Sequence, residues 1–254
     1  MFRNPRAKPR SVLPALALLT VALSGAGAQV VVVDEGTFTI TVAGVRAGRE
    51  DFSIRRSTAQ QGGFFAQGTI LRGENRTVVA LTTDSLGTPL KFQWERFVTG
   101  RSVENVSGEF RRGLWSGRAV GVAGESGREF RLPEPVVGAD DDVLHETWFL
   151  VRFGARPGAR LLVPRALLVR DLVLEDVGAD SVSIGLDVYP ARKWVLRATA
   201  AGPVLREAWT DARGRLLRVR IPALNLDAVR DEALPETVSP PVAYSRAEPS
   251  LTGS

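Results

Sequence analysis

One histidine, His145, and no cysteine stand among the 254 residues, so nucleophilic and acid–base chemistry must pass through that ring or through carboxylates. A Ser-His-Asp site or a histidine general base would have to use His145. No Gly-x-Ser-x-Gly elbow occurs, and Gly124-Glu125-Ser126-Gly127 has the wrong spacing for one. His145-Glu146 begins like a zinc-protease helix, but Phe149 stands where that motif needs its second histidine. A zinc site of the His and Cys type is therefore unavailable. Asp140, Asp141 and Asp142 offer hard oxygens for Ca²⁺, yet they lack the alternating spacing and the glycine of an EF-hand loop. Capping the free amides of a helix start suits them better. Asn75-Arg76-Thr77 and Asn105-Val106-Ser107 match the glycosylation sequon, a motif short enough to recur by chance. No glycine-rich phosphate loop ends in Lys-Ser or Lys-Thr. A carboxylate pair at glycosidase separation stays open, since separation in space is not written in sequence. The five tryptophans, Trp94, Trp115, Trp148, Trp194 and Trp209, fall in separate segments, as core residues do. The residues assign no catalytic group, no metal ligand and no cofactor.

The elements that would position any site read as strands. Phe38, Ile40 and Val42 alternate with threonines; Phe52 and Ile54 alternate with Asp51, Ser53 and Arg55. Leu90, Phe92 and Trp94 alternate with Lys91, Gln93 and Glu95. Later, Val182, Ile184, Leu186 and Val188 form one apolar face, and Leu217, Val219 and Ile221 another. This period of two places one face on a core and the other in water. Turn signals fall between the runs at Val45–Gly48, Arg72–Asn75, Asp84–Gly87, Arg111–Gly113, Gly124–Gly127, Gly178–Asp180, Ala201–Pro203 and Asp211–Gly214. Short connections pair neighbours antiparallel. The fold class is mainly β: an antiparallel meander forming an open half-barrel. One helix, about 141–152, with Leu144, Trp148 and Val151 on one face, is inserted between strand groups at about 36–132 and 160–222.

The N-terminus has the three parts of a secretory signal peptide: basic Arg3, Arg6, Lys8 and Arg10, an apolar run from Val12 to Leu23, and small residues ending at Ala28. The expected organisation is a signal peptide over 1–28, a single β-rich domain over 29–234 and a disordered Pro- and Ser-rich tail over 235–254. The full chain carries +5, and four of those charges belong to residues 1–28, which hold no acid; the remainder is +1. That balance excludes nucleic acid as a partner. The apolar run is too short for a stable span, so no membrane anchor is expected after cleavage. The expected location is periplasmic or secreted.

The opening strands Gly36-Thr37-Phe38-Thr39-Ile40-Thr41-Val42-Ala43-Gly44-Val45-Arg46-Ala47-Gly48-Arg49-Glu50-Asp51-Phe52 and the late hairpin Trp209-Thr210-Asp211-Ala212-Arg213-Gly214-Arg215-Leu216-Leu217-Arg218-Val219 carry a resemblance. With the signal and the inserted helix, they resemble uncharacterised periplasmic proteins related to the lipoprotein-carrier (LolA/LolB-like) fold. That resemblance implies an incomplete barrel around an apolar cavity, lidded by helices, of which the carriers have several. The function expected on this basis is an exported binding or carrier protein for an apolar or amphipathic ligand, such as a lipid or acyl chain. Phe92 and Trp94, on an inward strand face, and Trp148, on the helix, are the expected ligand contacts. Two other classes stay open: an envelope structural or assembly factor with a protein partner, and a carboxylate-pair hydrolase.

Overall fold

The computed structural model describes residues 30–59, 62–132 and 134–232. The expected signal peptide and the tail from 235 lie outside them. Eight strands open the described chain: β1 (Val30–Val42), β2 (Val45–Ser57), β3 (Phe64–Arg72), β4 (Asn75–Thr83), β5 (Pro89–Val98), β6 (Arg101–Arg111), β7 (Leu114–Gly121) and β8 (Gly124–Arg131). A mixed segment follows, with β9 (Val136–Gly138), α1 (Thr147–Phe153), β10 (Arg160–Val163) and β11 (Leu168–Asp171). The chain then returns to strands: β12 (Val173–Ile184), β13 (Asp187–Arg197), β14 (Val204–Thr210), β15 (Leu216–Ile221), a 3₁₀ turn (Pro222–Leu224) and β16 (Leu226–Arg230).

Three of the hairpins turn where two consecutive residues take positive φ. Ala43-Gly44 (φ 49° and 79°) and Arg112-Gly113 (52° and 79°) are such pairs, and this left-handed geometry matches the twist of the flanking strands. The β1–β2 turn therefore sits upstream of the expected Val45–Gly48, which lies inside β2. Gly124–Gly127 likewise belongs to β8, and Gly178 marks a bulge within β12, not a turn.

Thirteen strands form one antiparallel sheet in the order β12 to β16, then β1 to β8. Each half is a meander, and β16 returns to lie beside β1, joining the halves at Phe38↔Arg230 through Val42↔Leu226. Strands β8 and β12 remain separate edges, so the sheet is an open half-barrel. The 132–172 segment is the chain's passage from one edge to the other. Its small sheet, β11–β10–β9, includes a parallel pair, β9 with β10. Together with α1 it fills the inward face against Phe38, Phe52, Leu81, Phe92 and Trp115.

A second, smaller cluster joins Val182 and Ile184 to Trp209 and Leu217. A bulge between Trp209 and Thr210 in the β14–β15 pairing breaks the alternation, so Leu216 enters the main core and Leu217 the smaller one. The apolar face expected over 182–188 ends at Ile184, because Leu186 occupies the β12–β13 turn and is fully exposed.

Helix α1 is shorter than the expected 141–152, for an identifiable reason. In a helix, Asp140 O and Val143 O would accept the amides of Leu144 and Thr147. Here both carbonyls accept from the Arg206 guanidinium, and the Leu144 amide donates to Glu50 (2.9 Å). Backbone groups held this way are unavailable to a helical ladder, so residues 140–146 form turns. Nor do the aspartates cap the helix: its N-cap is Glu146, which makes no capping bond through its side chain.

A candidate ligand cavity and the polar network beside it

Four inward strand positions carry charge where neighbours carry apolar groups, Arg230 beside Leu226 and Ala228 among them, and Glu50 and Arg206 lie beneath the loop at 140–146. Glu50 shares strand parity with Phe52 and Ile54, Arg206 with Ala208, and Asp34 with Phe38 and Ile40. Burying such groups is costly unless each finds partners. Glu50, fully buried, accepts the amides of Leu144 (2.9 Å) and His145 (2.8 Å), and its Oε1 lies 2.7 Å from His145 Nδ1. The His145 ring stacks on Phe52, with ring centres 5.9 Å apart, and Phe52 stacks on Phe38 at 5.2 Å. Its opposing strand position is Gly68, where a Cβ would fall 2.6 Å from His145 Cε1. Only glycine leaves room for the ring there.

This arrangement is a tether, not a catalytic pair. A His–carboxylate dyad works through its outer nitrogen. Here that nitrogen, Nε2, is buried without a partner, and the ring has no exposure to solvent. Among the described residues no group of three or more His, Cys, Asp or Glu side chains is placed to hold a metal ion.

The neighbouring acids divide among three arginines, with Arg72 4.0 Å from Asp142. Arg165 contacts Asp140 (3.2 Å) and Asp142 (2.9 Å), while Arg170 donates to Asp141. Glu146 accepts the Asp140 amide (2.6 Å), and its other oxygen has no partner. Complete burial holds the Glu146 carboxyl well above the usual glutamate range, and burial raises Asp140 as well. Arg206, 4% exposed, donates to Val143 O (2.8 Å), Thr147 Oγ1 (2.7 Å) and Asp140 O. Among the described residues no carboxylate forms an ion pair with it. Burial lowers its pKa.

Beside Arg206 lies a partly enclosed cavity of about 150 Å³. Leu150 of α1, Leu161 of β10, Leu196 of β13 and Ile221 of β15 wall it, and Leu224 of the 3₁₀ turn stands at its rim. Its charged lining residues are Asp141, Arg170 and Arg206. A wider open cleft of about 800 Å³, lined in part by Val30, Arg55, Phe65 and Leu90, lies where β1 to β5 end.

The expected ligand contacts fall elsewhere. Phe92, Trp94 and Trp148 all lie in the main packed core, at 0%, 2% and 5% exposure. Trp148 packs against Phe64 (5.2 Å), Phe149 (5.1 Å) and Phe153 (6.0 Å), and Arg165 lies over Trp94 at 5.0 Å. They are the seam between sheet and inserted segment, and other residues line the cavities described above. Sequence reasoning missed Glu50, although its parity with Phe52 and Ile54 marked it as inward. It also missed Arg206, which shares parity with Ala208, and Arg170, for which no comparable signal exists.

No protein-family model matches this chain, and no curated protein matches it. Among solved structures, it is similar to a β-barrel-like protein of the domain of unknown function DUF1849 from Brucella abortus. That likeness covers 77% of this chain and 93% of the other, at 11% identity and a TM-score of 0.45. A DUF1329 family protein from Desulfovibrio piger is similar over 78% of this chain and 81% of its own, at 9% identity and a TM-score of 0.19.

Proposed function

We propose that this is an exported binding protein that holds the apolar part of an amphipathic small molecule in the cavity between α1, β10–β11 and β13–β15. The observation that carries this reading is the lining: among the described residues, eight of the eleven that line it are apolar, and two of the other three are arginines. Packed interiors rarely keep voids larger than a water molecule. A dry cavity of about 150 Å³ lined by aliphatic and aromatic side chains is known to accept a benzene-sized guest. Six carbons are therefore the right size for this one. At about 0.8 kcal/mol per buried methylene, six supply roughly 5 kcal/mol, less the cost of immobilising the guest. The apolar part alone then binds no more tightly than the millimolar range, where a Kd of about 1 mM corresponds to roughly 4 kcal/mol. The strand pattern's resemblance to the lipoprotein carriers points to the same class of ligand, by analogy of fold only.

Titration calorimetry with 1-hexanol tests this. Saturable binding near the millimolar range is expected for the wild type, and its loss is expected in Leu224→Trp, which places an indole at the rim from an exposed position. Linear, non-saturable heats with the wild type, or binding unchanged in that variant, would overturn the reading.

A further inference from the structure

The charges around the cavity do not cancel. Among the described residues its charged lining is two arginines and one aspartate, a formal +1. Asp141 is engaged by Arg170, and Asp140 and Asp142 by Arg165. Glu146 accepts a backbone amide and lies under complete burial, which favours its neutral form. Asp140, Asp141 and Asp142 act on Arg206 without an ion-pair contact, and its direct partners are two carbonyl oxygens and a hydroxyl, which take three of its five N–H donors. A guanidinium this deeply buried ordinarily has an anion of its own. Arg170 adds a second deficit, because its Nε is buried without a partner.

From this we infer that the cavity's ligand is a monoanion, a carboxylate of about six carbons whose head lies between Arg206 and Arg170 and whose tail lies against Leu150, Leu161 and Leu196. This rests on the cavity being the binding site. One negative charge neutralises the lining, whereas a dianion would leave an excess in a poorly solvated site. The planar fork of each arginine suits the two oxygens of a carboxylate, and the aliphatic wall suits an alkyl or phenyl tail over a polar one.

Hexanoate, 1-hexanol and acetate, titrated separately into the full chain near neutral pH, separate the contributions. Hexanoate should bind at least tenfold tighter than hexanol, which has the tail without the charge, and at least tenfold tighter than acetate, which has the charge without the tail. Arg170→Gln, at a half-buried position, should weaken hexanoate about tenfold and change hexanol less than twofold. Arg206→Lys should weaken hexanoate further. Hexanol binding as tightly as hexanoate would overturn the anion assignment while leaving the cavity as a binding site. Acetate matching hexanoate would overturn the amphipathic ligand. Failure of all three to bind would overturn the cavity reading and this inference with it.

Discussion

His145 and Glu146 are adjacent, and both are fully buried, but they answer burial differently. His145 is matched by Glu50, which binds its ring nitrogen and its amide, whereas Glu146 has one amide and no cation in contact. The pH consequence follows from the direction of the Glu146 shift. Its pKa is raised above the ordinary 4.5, so the folded state holds the proton more tightly than the unfolded state. That contribution to stability is complete below pH 4.5 and is lost as pH rises through the folded pKa. Asp34 and Asp140, raised from 3.8 by burial, act in the same direction. Glu146→Gln keeps an acceptor for the Asp140 amide and removes the proton. Its melting temperature at pH 7 should exceed that of the wild type, with a flatter pH dependence above 4.5. A variant that melts lower with an unchanged slope would show that the glutamate is ionised in the fold.

Among the elements, the weak place in the sheet is where β16 ends. It covers β1 only as far as Phe38, leaving the earlier half of β1 facing Leu216 at the start of β15. Two side chains bridge that gap. Asp34 accepts the Leu216 amide (3.0 Å), and Arg230 donates to Leu216 O (2.6 Å) and to Asp34 (2.8 Å). Both are at least 98% buried, and Arg230 also lies over the Phe52 ring at 5.4 Å. They do in side chains what a longer β16 would do in backbone. Arg230→Met should cost about 3–5 kcal/mol in urea unfolding, because it strands the Asp34 carboxylate in a closed site. It should also speed amide exchange at Leu216. A loss under 1 kcal/mol would mean that water enters the seam and the pair is not buried in solution.

For the whole molecule, the two meanders share β1 and β16, and one inserted segment packs against both. Core residues from β3, β5, β7, β14 and β15 belong to a single cluster with α1 and β10. The halves should therefore unfold together. Trp94 and Trp115 report from one half and Trp194 and Trp209 from the other, so tryptophan fluorescence and the far-ultraviolet strand signal should give one coincident urea transition. Two separated transitions would show that the halves fold independently and that the inserted segment belongs to only one of them.

Period-two alternation was enough to place Phe38, Phe52, Phe92 and Ile184 inside, and closely spaced glycines were enough for a meander. Those are local properties: strand parity and the φ of a turn residue depend on a few neighbours. The same parity already put Asp34 and Glu50 on the inward side, as charges in need of partners. Which partners they find, 182 residues away at Leu216 and 95 away at His145, depends on how the two meanders join at β1 and β16 and where the inserted segment packs. The helix start illustrates the limit. Three aspartates before an amphipathic run read as a cap, but Arg206 and Glu50, from two distant strands, take the backbone groups that a longer helix would use. Trp94 and Trp148 were legible as apolar and inward-facing. Whether that face is open to a ligand or covered by α1 depends on where the inserted segment lies, and only the packing of one layer on another decides that.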